Sequence, residues 1–193
     1  MPRDKTATNK QIISCMTEEF LSYGYENASL NRISRAVGIT TAALYKHFNG
    51  KEDMFAYLVR DTIDALERSQ MTDPSKYDPM SESWADSMAE LVFSNYRGLK
   101  LLVCCSSGSG FVVFEEKLIS ETMLAFKKYA EILERSGHSV KNLTDMQMHV
   151  LATEYIHIVL EAVRHDLTKQ QMLDHMRFAR SLICPAWREI FGI

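Results

Sequence analysis

Apolar residues recur at intervals of three and four along most of the chain, which is the spacing of one face of an α-helix. The alternation of apolar and polar residues that marks a half-buried strand is almost absent. The pattern therefore predicts an all-α protein of about nine or ten helices. The clearest apolar series are Ile12, Met16 and Phe20; then Phe114, Leu118, Ala125, Tyr129 and Leu133; then Met172, Met176, Ala179, Ile183, Trp187 and Ile190.

Helix starts are indicated where Thr or Asn is followed three residues later by Gln or Glu, because this spacing allows a capping box. Such pairs are Thr8 and Gln11, Asn49 and Glu52, Thr144 and Gln147, and Thr168 and Gln171. Helix breaks are predicted at Gly24, Gly38, Asn49-Gly50, 71–79, 106–110, 136–142 and Pro185. The break at Pro185 limits the last long helix to about residues 169–183.

Gly38 separates two short apolar segments that follow an amphipathic helix of residues 9–23. We expect the glycine to end the first short helix and Thr40 to cap the second. Three helices in this order form a helix-turn-helix unit, whose second short helix lies in the major groove of DNA. The inward faces of the two short helices are Leu30, Ile33 and Val37 before the glycine, and Leu44 and Phe48 after it.

Charge and side-chain type near Gly38 favour an anionic partner. Residues 1–51 carry seven Lys or Arg side chains against four Asp or Glu, although the whole chain has a net charge of −3. A basic head of this kind suits nucleic acid. The outward residues of the second short helix include no carboxylate; they are Thr40, Thr41, Ala42, Tyr45, Lys46 and His47.

The segment FLSYGYENASLNRISRAVGITTAALYKHFNGKEDMF resembles the DNA-binding head of TetR-family transcriptional regulators over about residues 9–55. It departs from the family pattern at Thr41-Ala42, where many members have Lys-Gly. The matching elements are Gly24-Tyr25, Ser29, Ile33, Gly38-Ile39-Thr40, Leu44-Tyr45, His47-Phe48 and Lys51-Glu52.

The resemblance implies specific DNA contacts. Phosphate contacts are expected from Ser29, Thr40, Tyr45, His47 and Lys51, and base contacts from Thr41, Ala42 and Lys46, with Arg32 as a further contact residue. It also implies a homodimer that binds a double-stranded, palindromic operator and, as a repressor, is released by a small effector. The predicted domains are a helix-turn-helix DNA-binding domain, 1–50, and a helical ligand-binding and dimerisation domain, 51–193.

The larger domain offers two predictions of its own. The segment 146–163 is apolar around most of a helix, leaving Glu154, His157 and Glu161 as a narrow polar strip, so it requires burial on nearly all sides and favours a homodimer. Methionines and aromatic residues between the helices suit a pocket for an apolar or aromatic ligand. The predicted pocket residues are Met88, Phe93, Tyr96, Phe111, Phe114, Met123, Phe126 and Tyr155.

Two alternative functions use other residues of this domain. Adjacent Cys104 and Cys105 suggest a thiol redox sensor with the same DNA head, and the spacing of His157, Glu161 and His165 suggests a metal-dependent helical enzyme. We expect no enzyme activity, cofactor or metal. The polar amino terminus and the absence of a run of about 18 apolar residues predict a cytoplasmic protein with no membrane partner.

Overall fold

A computed structural model describes residues 5–69 and 80–193, with side chains from Asn9 onward. Within these ranges the chain forms nine α-helices and no strand, which confirms the all-α prediction. The predicted break at 71–79 lies outside the described residues. The helices are α1 Lys5–Asn27, α2 Leu30–Val37, α3 Thr41–Leu44, α4 Lys51–Ser69, α5 Trp84–Ser94, α6 Tyr96–Cys104, α7 Phe114–Arg135, α8 Asp145–Arg164 and α9 Lys169–Phe191.

The chain packs into two compact units. The first unit comprises Met1–Asp64 and Arg97–Val113, and the second comprises Ala65–Tyr96 and Phe114–Ile193. The chain thus passes between the units three times, within α4, at the start of α6 and at the start of α7. This division by packing places most of α4 and α6 with the head, whereas the predicted functional boundary falls between residues 50 and 51.

The first unit is organised around the short helices α2 and α3, with α1 packed against α2 and α2 against α3. As predicted, the backbone breaks at Gly24, whose φ of 69° and ψ of 166° are not helical. Phe20, Tyr25 and Phe55 form the aromatic core of this unit, with ring centroids 5.2 to 6.1 Å apart. Phe111, from the loop after α6, adds a fourth ring 5.7 Å from Phe55.

The start of α4 differs from the predicted capping box of Asn49 and Glu52. The Met54 N–H donates to the Gly50 carbonyl, so Gly50 is the capping position and Asp53 is the third helical residue. Asp53 therefore reaches back and its Oδ2 accepts from the Asn49 N–H at 2.9 Å. The prediction was wrong by one residue, which leaves the Glu52 side chain available for another contact.

In the second unit, α5 packs against α9 and α7 against α8. The capping boxes of Thr144 with Gln147 and Thr168 with Gln171 are both present and start α8 and α9 as predicted. Five aromatic rings fill part of the core, and neighbouring centroids in the set lie 4.7 to 6.0 Å apart: Trp84, Phe126, Tyr155, Trp187 and Phe191.

The predicted end of the last helix at Pro185 is wrong, because α9 continues to Phe191 with the proline inside it. A proline lacks the N–H that would bond to the carbonyl four residues earlier, here that of Ser181. Both Pro185 and Ser181 are exposed, so water can reach that carbonyl. Burial of Trp187 and Phe191 beyond the proline stabilises the continued helix.

No membrane span is found in the described ranges. Among residues 5–69 and 80–193, none of the helices is both long enough and apolar enough to cross a bilayer.

Candidate nucleic-acid interface

Short polar caps fix the ends of α2 and α3. The Ser29 hydroxyl accepts from the Arg32 N–H at the start of α2, and Gly38 ends that helix in the left-handed conformation with φ of 73°. The Thr40 Oγ1 accepts from the Ala43 N–H at 3.1 Å and so starts α3. The turn between the helices is therefore set by Gly38 and Thr40, as the sequence predicted.

The outer face of α3 and of the turn that follows it consists of exposed side chains. Tyr45 is 55% exposed although it is a large aromatic residue, and its neighbours in this set are also exposed. The inward residues Leu44 and Phe48 are buried. We call this surface the outer face and define it as Ala42, Tyr45, Lys46 and His47.

A second group of predicted contact residues lies at the meeting point of α1, α2 and α4, and its side chains are engaged within the protein. Arg32 donates from Nε to Glu19 Oε1 at 2.8 Å and from a terminal nitrogen to the Asn27 carbonyl at 2.7 Å. Its guanidinium also stacks 4.1 Å from the centre of the Tyr23 ring. These bonds hold the loop between α1 and α2, and a DNA contact by Arg32 stays a prediction.

Glu19 is the centre of this arrangement. Its side chain is only 8% exposed, and besides Arg32 it accepts the Ser29 N–H at 2.7 Å. Lys51 is also engaged, because its Nζ donates to the Glu26 carbonyl at 3.0 Å and lies 4.6 Å from the Tyr25 ring centre. We call the set Glu19, Ser29, Arg32, Lys51 and Tyr25 the junction.

The junction continues into the loop after α6, which belongs to the same compact unit. The Tyr25 N–H donates to the Cys105 carbonyl at 2.7 Å. Glu52 Oε1 accepts the Gly110 N–H at 3.0 Å. Burial, together with the hydrogen bond and charge of Glu52, raises the pKa of Tyr25 to about 12. Two backbone N–H groups and a phenol thus connect α1, α4 and this loop.

Sequence reasoning missed one exposed cation and one exposed amide. Arg35 lies on α2, is exposed, and has no ion pair among the described residues. Asn31 is also exposed on α2 and accepts a hydrogen bond from Thr41, the first residue of α3. Both occupy outward positions between the apolar residues Leu30, Ile33 and Val37, and this spacing was the signal that would have identified them.

The predicted ligand-pocket residues are not all in one place. Met88, Phe126 and Tyr155 are buried in the second unit, where the Trp84 Nε1–H donates to the Tyr155 hydroxyl at 3.1 Å. Phe111 instead belongs to the first unit. The others lie nearer the surface of the second unit: Phe93 is exposed, Phe114 and Met123 are half-buried, and Tyr96, also half-buried, donates its hydroxyl proton to the Asp166 carboxylate.

The two candidate metal-ligand histidines, one in α8 and one just after it, are each paired with a different carboxylate. His157 Nε2 lies 2.9 Å from Glu115, and His165 Nε2 lies 2.9 Å from Glu161. Arg164 bridges the two carboxylates at 2.6 and 3.0 Å. In the part of the chain that the structure describes, no group of three potential ligands is arranged to hold a metal ion. The metal-dependent enzyme therefore gains no support from the geometry.

The adjacent cysteines have different surroundings. Cys104 is exposed, whereas Cys105 is buried. Burial and the neighbouring Cys104 raise the pKa of the Cys105 thiol. Because the thiolate is the reactive form, this environment makes Cys105 less reactive and does not favour the redox-sensor alternative.

Known proteins resemble the chain in both sequence and fold. Residues 12–58 match the sequence profile of the tetR family of bacterial regulatory proteins. An HTH-type transcriptional regulator of Staphylococcus aureus strain USA300 is 27% identical over 179 residues, which cover 86% of this chain and 94% of that protein. A regulator of the same type from the bovine strain RF122 has the same identity and coverage.

Two solved structures share the fold with a TM-score of 0.57. One is NalD, the secondary repressor of the MexAB-OprM multidrug efflux pump in Pseudomonas aeruginosa, at 20% identity, covering 92% of this chain and 96% of that one. The other is the TetR-family regulator CifR in complex with a 26-bp operator DNA, at 16% identity, covering 94% of this chain and 97% of that one.

The profile match covers the helices that carry the outer face and the junction, and the curated relatives extend the similarity over most of the chain. These relatives are transcriptional regulators rather than enzymes. The chain thus resembles bacterial regulators of the tetR family in the sequence of its head, and HTH-type transcriptional regulators over most of its length.

Proposed function

We propose that the protein is a homodimeric repressor that binds a near-palindromic operator and is released from it by a small apolar or aromatic effector. The observation that carries this proposal is the outer face. It presents a phenol, an ammonium group, an imidazole and a methyl group, with no carboxylate, at the position from which a recognition helix enters the major groove. A repressor role is in keeping with NalD, a fold neighbour that is itself described as a repressor.

Dimer formation is supported by apolar side chains that the single chain leaves exposed. On α8, Met146 is 69% exposed and Val150 lies one turn further; on α9, Phe178 is 62% exposed and Leu182 lies one turn further. Residues four apart share one helix face, so each helix presents an apolar stripe. Exposed apolar patches of this kind mark protein interfaces, and a second copy of the chain would cover them.

The effector is proposed to bind in the second unit, next to the aromatic cluster of Trp84, Phe126 and Tyr155. The same unit also buries four flexible methionines, Met88, Met148, Met172 and Met176. Thioether side chains adapt to ligands of variable shape. The hydrogen bond between Trp84 and Tyr155 supplies the polar groups that could orient such a ligand.

Effector binding would be coupled to DNA binding through the three points at which the chain passes from one unit to the other. Residues of α4 and α6 lie in the first unit, and their continuations lie in the second. A rearrangement of the second unit would therefore act on Glu52 and on the loop after α6, which are bonded to each other. A tenfold loss of operator affinity needs an effector preference of only about 1.4 kcal/mol for the non-binding state.

The dimer and operator binding can be tested together by sedimentation of the protein with a palindromic duplex selected from random DNA. We expect two chains per duplex. Phe178→Asp should produce a monomer with much weaker binding, because a charge would be buried at the interface. Val112→Asp is the matched control, because Val112 is exposed in the first unit and outside the proposed interface. A dimeric Phe178→Asp variant would contradict this interface.

The effector can be sought with a panel of apolar and aromatic compounds. We expect some of them to raise the melting temperature of the free protein and also to release the operator duplex in fluorescence anisotropy. Compounds that stabilise the protein and leave DNA affinity unchanged throughout the panel would contradict ligand-controlled release.

A further inference from the structure

A closed hydrogen-bond network connects the start of α2 to the start of α3. Thr41 Oγ1 donates to Asn31 Oδ1 at 2.9 Å. Ser34 Oγ lies 3.1 Å from Thr41 Oγ1 and 3.1 Å from the backbone carbonyl of Asn31. A hydroxyl has one proton: that of Thr41 is used on the Asn31 amide oxygen and that of Ser34 on the Asn31 backbone carbonyl, so both hydroxyl groups bond to Asn31. Ser34 is buried and anchors the network to the core.

The network orients the Asn31 side chain. Its amide oxygen faces Thr41, so the amide NH₂ group, at the other end of the planar carboxamide, faces away from that contact. Asn31 is exposed, and its Nδ2 donates no hydrogen bond to any group that the structure describes. The protein therefore holds two neutral N–H donors at its surface, one hydrogen bond away from the first residue of the recognition helix.

We propose that Asn31 determines operator specificity by donating from Nδ2 to the major-groove edge of a guanine, with Thr41 as the positioning residue. This inference rests on the proposed operator recognition by α3. An asparagine that reads adenine must accept from the adenine amino group as well as donate. Here the amide oxygen is turned toward Thr41, so the NH₂ group is the end of the side chain that faces away from the protein contact, and it suits a base that presents acceptors. Guanine presents N7 and O6 in that groove.

A base is favoured over a phosphate by position and charge. The amide is bonded to Thr41 at the amino end of α3, the end of a recognition helix that faces the base edges. Arg35 lies one turn along the same helix, is exposed and has no ion pair among the described residues, and a cation is the usual partner of a phosphate. Arg35 would thus contact a phosphate of the DNA backbone, and Asn31 would contact a base.

The test is selection of bound sequences from random duplex DNA by the wild-type protein and its variants. Wild type should enrich an inverted repeat with one strongly preferred guanine per half-site that Asn31→Ala no longer selects, at a cost of about tenfold in affinity for that sequence. Asn31→Asp keeps the acceptor for Thr41 and replaces the donor by a second acceptor, so the preference should move to cytosine, whose amino group donates. Arg35→Gln should weaken binding to all sequences alike.

The remaining variant addresses Thr41. Thr41→Val removes the hydroxyl and frees the amide oxygen, so adenine should be accepted beside guanine at the same position. Thermal unfolding of each variant checks that the head is folded, and Asn31 is exposed enough to be replaced without loss of core packing.

Each outcome separates this inference from the proposed function. If the wild type enriches an inverted repeat and Asn31→Ala enriches the same bases at every position, the inference is overturned and operator binding stands. A uniform loss of affinity in Asn31→Ala identifies a phosphate contact and also overturns it. If the wild type enriches no sequence, the inference fails together with the proposed operator recognition.

Discussion

The junction and the outer face are neighbouring regions of one head, and both contain residues that family resemblance assigns to DNA. They differ in what the side chains do in the free protein. Arg32 and Lys51 of the junction bond to Glu19 and to backbone carbonyls. Tyr45, Lys46 and His47 of the outer face are exposed. We therefore expect the junction to fix the geometry of the head and the outer face to make the direct contacts with DNA.

The same contrast holds within a single helix. Arg32 and Arg35 are one turn apart on α2, and each has the charge that suits a phosphate. Both side chains are exposed, but Arg32 is paired with the buried carboxylate of Glu19, whereas Arg35 has no ion pair among the described residues. Charge alone therefore does not identify a DNA contact, because a cation that satisfies a buried carboxylate is needed for folding.

The largest expected effect is at the centre of the junction. Glu19→Ala removes the buried acceptor of the Ser29 N–H and of Arg32, and hydrogen bonds to a charged group contribute about 2 kcal/mol. We expect the free energy of unfolding, measured with urea and without DNA, to fall by about this amount. Glu18→Ala is the matched control, because Glu18 is exposed and makes a surface ion pair with Arg97, and it should change stability by less than about 0.5 kcal/mol.

On the outer face, Tyr45→Ala should instead leave stability unchanged and weaken operator binding. The side chain is exposed, so its removal should leave the urea transition unchanged. Operator affinity should fall about tenfold, or about 1.4 kcal/mol, because each half-site would lack one direct interaction with the protein. Fluorescence anisotropy with a selected duplex measures the affinity. Unchanged operator affinity would show that Tyr45 does not contact DNA. A large loss of stability would show that the outer face, like the junction, contributes to folding.

A smaller effect distinguishes the two arginines of α2. Arg35→Gln should reduce the slope of log K against log salt concentration by about 0.9 for each phosphate that the protein no longer neutralises, with the melting temperature unchanged. Arg32→Gln should lower the melting temperature and leave that slope unchanged. Equal slopes in the two variants would show that an ion pair in the free protein does not separate structural arginines from DNA-binding ones.

Much of the fold followed from the sequence because its signals are local. The caps at Thr144, Thr168 and Gly38 act on neighbouring backbone groups, and each is present as predicted. Pro185 shows the limit of this reasoning. A local rule ends the helix there, but the burial of Trp187 and Phe191 in the tertiary structure outweighs one missing hydrogen bond.

The candidate site was predictable in outline and not in detail, because its details depend on contacts between distant residues. Glu19 lies thirteen residues before Arg32 and in another helix, so their pairing has no periodic signal. Glu52 bonds to Gly110, fifty-eight residues away. The sequence analysis grouped Phe111 with Phe126 as pocket residues, whereas the chain re-enters the first unit at the start of α6 and Phe111 lies in that unit.

The central claim is that the outer face reads a defined operator through a dimer. Its most direct test is selection of bound sequences from random duplex DNA by the purified protein at two salt concentrations. The account predicts enrichment of an inverted repeat whose half-site centres are about 34 to 36 Å apart, with affinity falling steeply as salt increases. Binding without an enriched sequence, or enrichment of a single half-site with no repeat, would contradict it.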